Sequence, residues 1–454
     1  MRNESQEEHY LKMTGTPVQK LIIMLCIPTI LSMLVTNVYN LVDTAFVGAL
    51  GNSASGAVGI VFGFMAILQA AGFMFGHGSG SILARRLGHM DTEGASSTAS
   101  TGFFLSLLTG LVISVFCFIF IKPLVMLLGS TGTIAPYAIK YISFILITAP
   151  FTTAGFTLNN ILRYEGKAFY GMIGMFTGCV LNIGGDYLFM FVLKLGISGA
   201  GISTAICQLV SFLVLLLPFL RGKTQCKISI RRVNLSVKLI ADIAATGLPS
   251  LIRQGLNSVA TILLNSLSGA FGDEAVAAMS IVSRVYFFIF AIALGVGQGL
   301  QPVASFNHGA GKYTRVRKAY KFTATLASLI IIIPGIFVII YAPEIVRYFR
   351  DDALVAEYDS RALILQCIAG MCMPFCMTTE LLLQSTGKKL SASVLSALRS
   401  GVIFIPALLI LSHFRAMAGI QEAQPLAYAL SFFPTLYFCT DYFKKLPKKD
   451  KETP

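Results

Sequence analysis

Two carboxylates stand where a chain of this kind can least tolerate charge. Asp43, in VYNLVDTAFVG (residues 38–48), is the sole formal charge between Leu21 and Ala84. A carboxylate in hydrocarbon costs about 2.5–3.5 kcal/mol even on insertion scales, so an ionisable residue there is read first as functional. Asp186 sits the same way in LNIGGDYLF. Asn182 precedes Asp186 by four residues, Tyr39 precedes Asp43 by four and Asn40 by three. On helices these spacings stack side chains on one face. Thr204 joins them at the same depth if its segment runs back from the far side. Two carboxylates in a low-dielectric medium cannot both stay charged unaided, because desolvation and mutual repulsion both oppose it. The pair would hold a proton or recruit a cation. Oxygens from Asp, Asn and Thr suit a hard ion. Asp43, Asn182, Asp186 and Thr204, with Tyr39 nearby, are therefore expected to form a proton- or Na⁺-coupling site, the first four being the ligands if the ion is Na⁺.

The elements that must position these groups are membrane helices. The 454 residues are 55% hydrophobic and 12% charged, about half the charge of a soluble protein. Apolar runs long enough to cross a bilayer are expected near 18–48, 53–84, 94–121, 132–161, 168–192, 197–219, 236–268, 274–305, 317–342, 354–384, 390–412 and 421–443, twelve in all. The fold class is all-α and polytopic. Lys and Arg set the orientation: 26 of the 35 fall on the side that carries both termini, Arg399 counted among them. Both termini are expected to be cytoplasmic in a bacterial cytoplasmic membrane. The net charge of +14 is then a topology signal, and no nucleic-acid partner is implied.

An internal repeat runs at a constant offset of 221. Pro28 pairs with Pro249, Gly51 with Gly272, Gly76 with Gly297, Gly88 with Gly309, and Gly166–Lys167 with Gly387–Lys388. Six spans per copy give a parallel repeat, an architecture of transporters. The expected organisation is an N-terminal segment 1–17, an N-lobe 18–219, a basic linker 220–236, a C-lobe 237–443 and a tail 444–454. At the same offset Asp43 becomes Leu264 and Asp186 becomes Ala407, which confines the ion chemistry to the first copy.

Other polar residues inside spans are candidates for substrate contact or gating: Arg253 and Arg284 in spans 7 and 8, Asn40, Glu380 in span 10, its repeat counterpart Asn159, and Asn160. Glu380 is expected to snorkel or to serve an inner gate, with a second proton site as the alternative. Gly72, Gly76, Gly80, Ala84 and Gly88 recur every four residues, a close-packing pattern for helices in lipid. GHGSG (76–80) lies in that stripe with no strand before it, so it is not read as a phosphate loop. With neither metal-ligand spacing nor a nucleophile elbow, the chain is not expected to be an enzyme or to need a cofactor beyond H⁺ or Na⁺.

Four stretches resemble multidrug and toxic compound extrusion (MATE) transporters, closest to DinF-like bacterial members: IPTILSMLVTNVYNLVDTAFVGALG, LARRLGHMDTEGA, LRYEGKAFYGMIGMFTGCVLNIGGDYLF and SRVYFFIFAIALGVGQGLQPVASFNHGAGKYTRVRKA. The resemblance implies two six-helix bundles and cation-coupled export by alternating access. Its implied substrates are amphipathic, cationic organic compounds, handled by a monomer in the lipid bilayer. It also implies N-lobe ion chemistry at Asp43, Asn182, Asp186 and Thr204, with Tyr39 nearby. Lipid-linked saccharide flippases share this fold and form the alternative.

Overall fold

The computed structural model describes residues 5–269, 271, 273–341, 344 and 353–451. A short helix, Gln6–Gly15, opens the chain, capped by Ser5 and Glu8 in a reciprocal box. The spans follow as α1 (Val18–Gly48), α2 (Asn52–Gly88), α3 (Thr92–Ile119), α4 (Ala135–Tyr164), α5 (Ala168–Asp186) and α6 (Ile197–Leu220). The second set is α7 (Val237–Gly269), α8 (Asp273–Gly309), α9 (Tyr313–Ile340) and α10, made of Ala353–Gly370 and Met373–Ser385, with a 46° bend at the junction. Helix α11 starts as Lys389–Ala397, passes through a π-turn at Leu398–Val402, and continues into Phe404–Lys445. That last helix breaks at Ala416 (φ 50°, ψ −131°), and its second arm is α12. Twelve helical segments are thus traced among the described residues, on an all-α fold; nine helices, or ten counting the bent α10, are long and apolar enough to cross a membrane by length and composition.

The repeat is written into the helix ends. Shifting α2 by 221 residues gives Asp273–Gly309, the bounds of α8; shifting α3 gives Tyr313–Ile340, the bounds of α9. The left-handed residues after α2 and α4, Met90 and Gly166, recur as Gly311 and Gly387 after α8 and α10. An ungapped chain duplication explains all four matches.

In lipid, helix association depends on close packing, since the solvent is as apolar as the side chains. The small-residue stripe of α2 does this work against α4. A Cβ on Gly72 would lie 2.8 Å from the Thr153 carbonyl oxygen, one on Gly76 2.7 Å from the Asn160 Cβ, and one on Gly80 2.2 Å from the Tyr164 ring. Large apolar side chains such as Phe116, Ile119, Ile333 and Ile340 face outward, as lipid-exposed surfaces require.

The chain forms two compact units: Met1–Thr16 with Leu31–Leu251, and Pro17–Ile30 with Ile252–Pro454. The divisions fall inside α1 and α7, each two residues after the repeat-related prolines Pro28 and Pro249. In the first unit, Val47, Ala54, Phe64, Leu68, Tyr141 and Ile145 belong to one buried core. In the second, Leu264, Leu363, Phe404, Leu408 and Ile420 form another.

Candidate functional site

Four helices of the first unit bring a polar cluster into its interior. Depth along each helix explains the meeting. Asp43 lies five residues before the end of α1, and Thr204 lies seven residues into α6. Asp186 closes α5 and is followed at once by a π-turn, Tyr187–Val192. Such turns recur at functional positions because the extra residue re-aims side chains.

Asp43, Asn182, Asp186 and Thr204 are all buried, and Tyr39 is half-buried. The Asp43 and Asp186 carboxyls interact side chain to side chain. The Asn182 amide Nδ2 is 3.4 Å from Asp186 Oδ1 and 3.4 Å from Thr204 Oγ1. Ser203 donates to the Asn182 carbonyl at 3.2 Å, tying α6 to α5. Three buried acceptor oxygens lack a partner: Asp43 Oδ1, Asp186 Oδ2 and Asn182 Oδ1. Folded proteins leave only a few such atoms per hundred residues, so three gathered in one cluster stand out. The donor set and the loose 3.4 Å spacings fit a group that enters between them, a proton or a small hard cation.

Tyr141 of α4 belongs here and escaped the sequence reading. It is fully buried, with its hydroxyl 3.5 Å from Thr204 Oγ1. It lies six residues into α4, so the depth argument that gathered Thr204 would have gathered it too.

The second unit holds a different cluster. Glu380 of α10 is fully buried and bound by two arginines: Arg253 Nη1 at 2.7 Å and Arg399 Nη2 at 2.9 Å. Ser396 donates to it at 2.5 Å. This corrects one expectation: Glu380 does not snorkel, because its charge is neutralised inside the bundle. The π-turn Leu398–Val402 buries Arg399 beside it. Breaking such a pair strands the remaining charge, at about 3–5 kcal/mol, so the trio holds together.

Asn159 and Asn160 lie apart from both clusters. Asn159 donates to the Gly171 carbonyl at 3.1 Å, joining α4 to α5. Asn160 accepts from Arg163 at 2.6 Å and donates to the Phe156 carbonyl. The side chains of Asn40 and Arg284 lie outside the described residues.

Twelve helical segments in a duplicated arrangement, with polar clusters buried in each unit, define a membrane transporter. The chain belongs to the MatE family, whose model matches it twice, over residues 28–188 and 249–410. It is a multi-pass membrane transporter and not an enzyme. It is similar to the multidrug export protein MepA of Staphylococcus saprophyticus, at 25% identity over 87% of each chain. The protein of that name from Staphylococcus haemolyticus is 25% identical over 90% of this chain and 91% of its own. Among solved structures, a multidrug resistance MATE family transporter of the MOP superfamily in an outward-facing conformation matches with a TM-score of 0.89. That chain is 27% identical, and the match covers 97% of this chain and 99% of the other.

Proposed function

We propose that the chain is a secondary antiporter of a bacterial cytoplasmic membrane. It exports amphipathic, cationic organic compounds in exchange for inward H⁺ or Na⁺. Export itself is carried over from the similar multidrug export proteins. The observation that carries the coupling assignment is the gathering of Asp43, Asp186 and Asn182, each with one buried side-chain oxygen that has no hydrogen-bond partner.

Two touching carboxyl groups repel when both are ionised, and a proton or a Na⁺ between them removes that cost. Asn182 Oδ1 and Thr204 Oγ1 complete an oxygen set around the same point, and Tyr141 and Tyr39 wall it. Loading therefore changes the net charge at the end of α1. Pro28 deprives α1 of one backbone hydrogen bond, which makes that helix the element most able to bend as the charge changes. The moving halves are the lobes 18–219 and 237–443, joined by the basic linker 220–236. An ion shifts the conformational balance only through unequal affinity for the two states, so ion and drug must favour opposite ones. The Lys and Arg distribution supports cytoplasmic termini, and the chain is taken to act as a monomer.

Transport of a lipid-linked saccharide would call for an uncompensated cationic lining, and Arg253 is bound to Glu380. The test is efflux of ethidium from cells lacking their own pumps. Asp43→Asn and Asp186→Asn should each reduce efflux to the level of cells without the transporter. Efflux at wild-type rate in either variant would place coupling elsewhere.

A further inference from the structure

We infer that the first unit carries a headgroup site for an anionic phospholipid, built from Arg86, Arg231 and Arg232. A groove of about 610 Å³ runs between the start of α3 and the linker that follows α6. It is lined by these three arginines together with Ser97, Asn234 and Glu93. Against these three cations stand the Glu93 carboxylate in the lining and the Asp91 carboxylate that caps Gly94 beside Arg86, which leaves a surplus of one positive charge. Arg86 is fixed in place by donating to the Gly94 carbonyl at 2.6 Å.

The linker is not a loose tether. Its backbone is fastened to α3 at four points: Lys227 N–H to Ser96 Oγ (3.1 Å), Ser100 Oγ to the Lys227 carbonyl (3.2 Å), Ser229 N–H to Ser100 Oγ (3.1 Å) and Asn234 N–H to Thr101 Oγ1 (3.0 Å). Both oxygens of Glu165 accept from the linker as well, from the N–H groups of Gln225 and Cys226 at 3.0 Å each. Burial pushes the Glu165 carboxyl up from its ordinary range, so this anchor sits in a dry setting. Ser96, Ser100 and Thr101, close together on α3, supply the hydroxyls that hold the linker.

The pinned segment then shows the apolar face that a membrane surface would cover. Ile230 is 71% exposed, Leu235 76% and Val237 80%. These residues interleave with Arg231, Arg232 and Lys238 in IRRVNLSVK. Large aliphatic groups alternating with arginines are costly in water and favourable at a lipid interface, where the aliphatic groups enter the acyl boundary and the cations meet phosphates. Basic pockets beside membrane helices take anionic headgroups in this way. The groove supplies charge and hydrogen-bond donors for one phosphodiester, and the exposed Ile230, Leu235 and Val237 on the same segment supply apolar surface for the acyl chains that would accompany it. The exposed aliphatic residues are what favour a lipid over free phosphate.

The test uses the purified full-length protein and native mass spectrometry, with phosphatidylglycerol and phosphatidylcholine added in equal amounts. The wild type should retain phosphatidylglycerol in preference. The double variant Arg231→Gln/Arg232→Gln should lose about thirtyfold of that preference, each cation near the surface being worth about fivefold. The Arg231→Lys/Arg232→Lys variant should keep most of it. Leu235→Ser/Val237→Ser should weaken retention of the lipid and leave any binding of inorganic phosphate unchanged. Equal retention of the two lipids by the wild type, or wild-type preference in the glutamine variant, overturns the site. Insensitivity of the wild-type preference to added salt overturns it independently of any variant. Displacement of phosphatidylglycerol by inorganic phosphate at equal concentration would make it a free-phosphate site and overturn the lipid assignment.

Discussion

Asp43 and Asp186 meet in the first unit; their repeat partners Leu264 and Ala407 lie in the apolar core of the second, beside Phe404 and Leu408. The second unit places its own carboxylate elsewhere. Glu380 takes the position equivalent to Asn159 and is neutralised by Arg253 and Arg399. The same duplicated scaffold thus holds one acid pair with no Lys or Arg paired to it among the described residues, and one acid with two arginines. The difference teaches how to tell a working charge from a structural one in a membrane. A carboxylate with fixed cations has its charge state settled, and altering it costs stability. A carboxylate facing another carboxylate is instead expected to take up a proton or a cation, and altering it is then expected to cost function more than stability.

The sharpest break in this contrast is expected at Glu380. Glu380→Ala leaves Arg253 and Arg399 buried together without an anion, and should destabilise the protein by about 3–5 kcal/mol, read by thermal unfolding in detergent. Next, Leu264→Asp copies the first-unit acid into the second-unit core without its companions. Its cost should be about 2.5–3.5 kcal/mol, with no gain of ion binding by calorimetry. Asp186→Asn keeps the shape and removes a repulsion. Its stability should stay within about 1 kcal/mol of wild type, in the range of a single hydrogen-bond change, while drug efflux is lost. A destabilisation matching that of Glu380→Ala would erase the contrast. The smallest effect is expected for Tyr141→Phe, which removes one long hydrogen bond to Thr204 worth about 0.5–1.5 kcal/mol. It should shift the ion concentration for half-maximal transport and leave the maximal rate nearly unchanged.

Much of this was legible in the residues. Asp43 and Asp186 declared themselves by isolation, and the 221-residue offset, read from scattered glycines and prolines, reappears in the ends of α8 and α9. The stripe Gly72–Gly76–Gly80 announced a close helix contact, because only a bare Cα allows such an approach, but not that its partner is α4. Tyr141 was hidden because tyrosine in a span is unremarkable by type, and only its depth marks it. The Glu380 trio was hidden because its partners come from α7 and α11, and Arg399 sits close enough to Lys388 and Lys389 in sequence to pass for loop charge. Only the π-turn that carries Arg399 inward separates them, and a local change of helical pitch leaves no periodicity to read. The linker's fastening was invisible for a similar reason: serines at 96 and 100 signal nothing until the chain returns more than a hundred residues later.

The central claim is that the coupling ion is carried by the Asp43–Asp186 pair and not by Glu380. The direct measurement is ion uptake into proteoliposomes during ethidium counter-transport, with a pH gradient and a Na⁺ gradient imposed separately. The wild type and a folded Glu380→Gln variant should both couple drug movement to one of the two gradients. Asp43→Asn and Asp186→Asn should respond to neither. Coupled transport that survives both aspartate substitutions and disappears in Glu380→Gln would contradict the assignment.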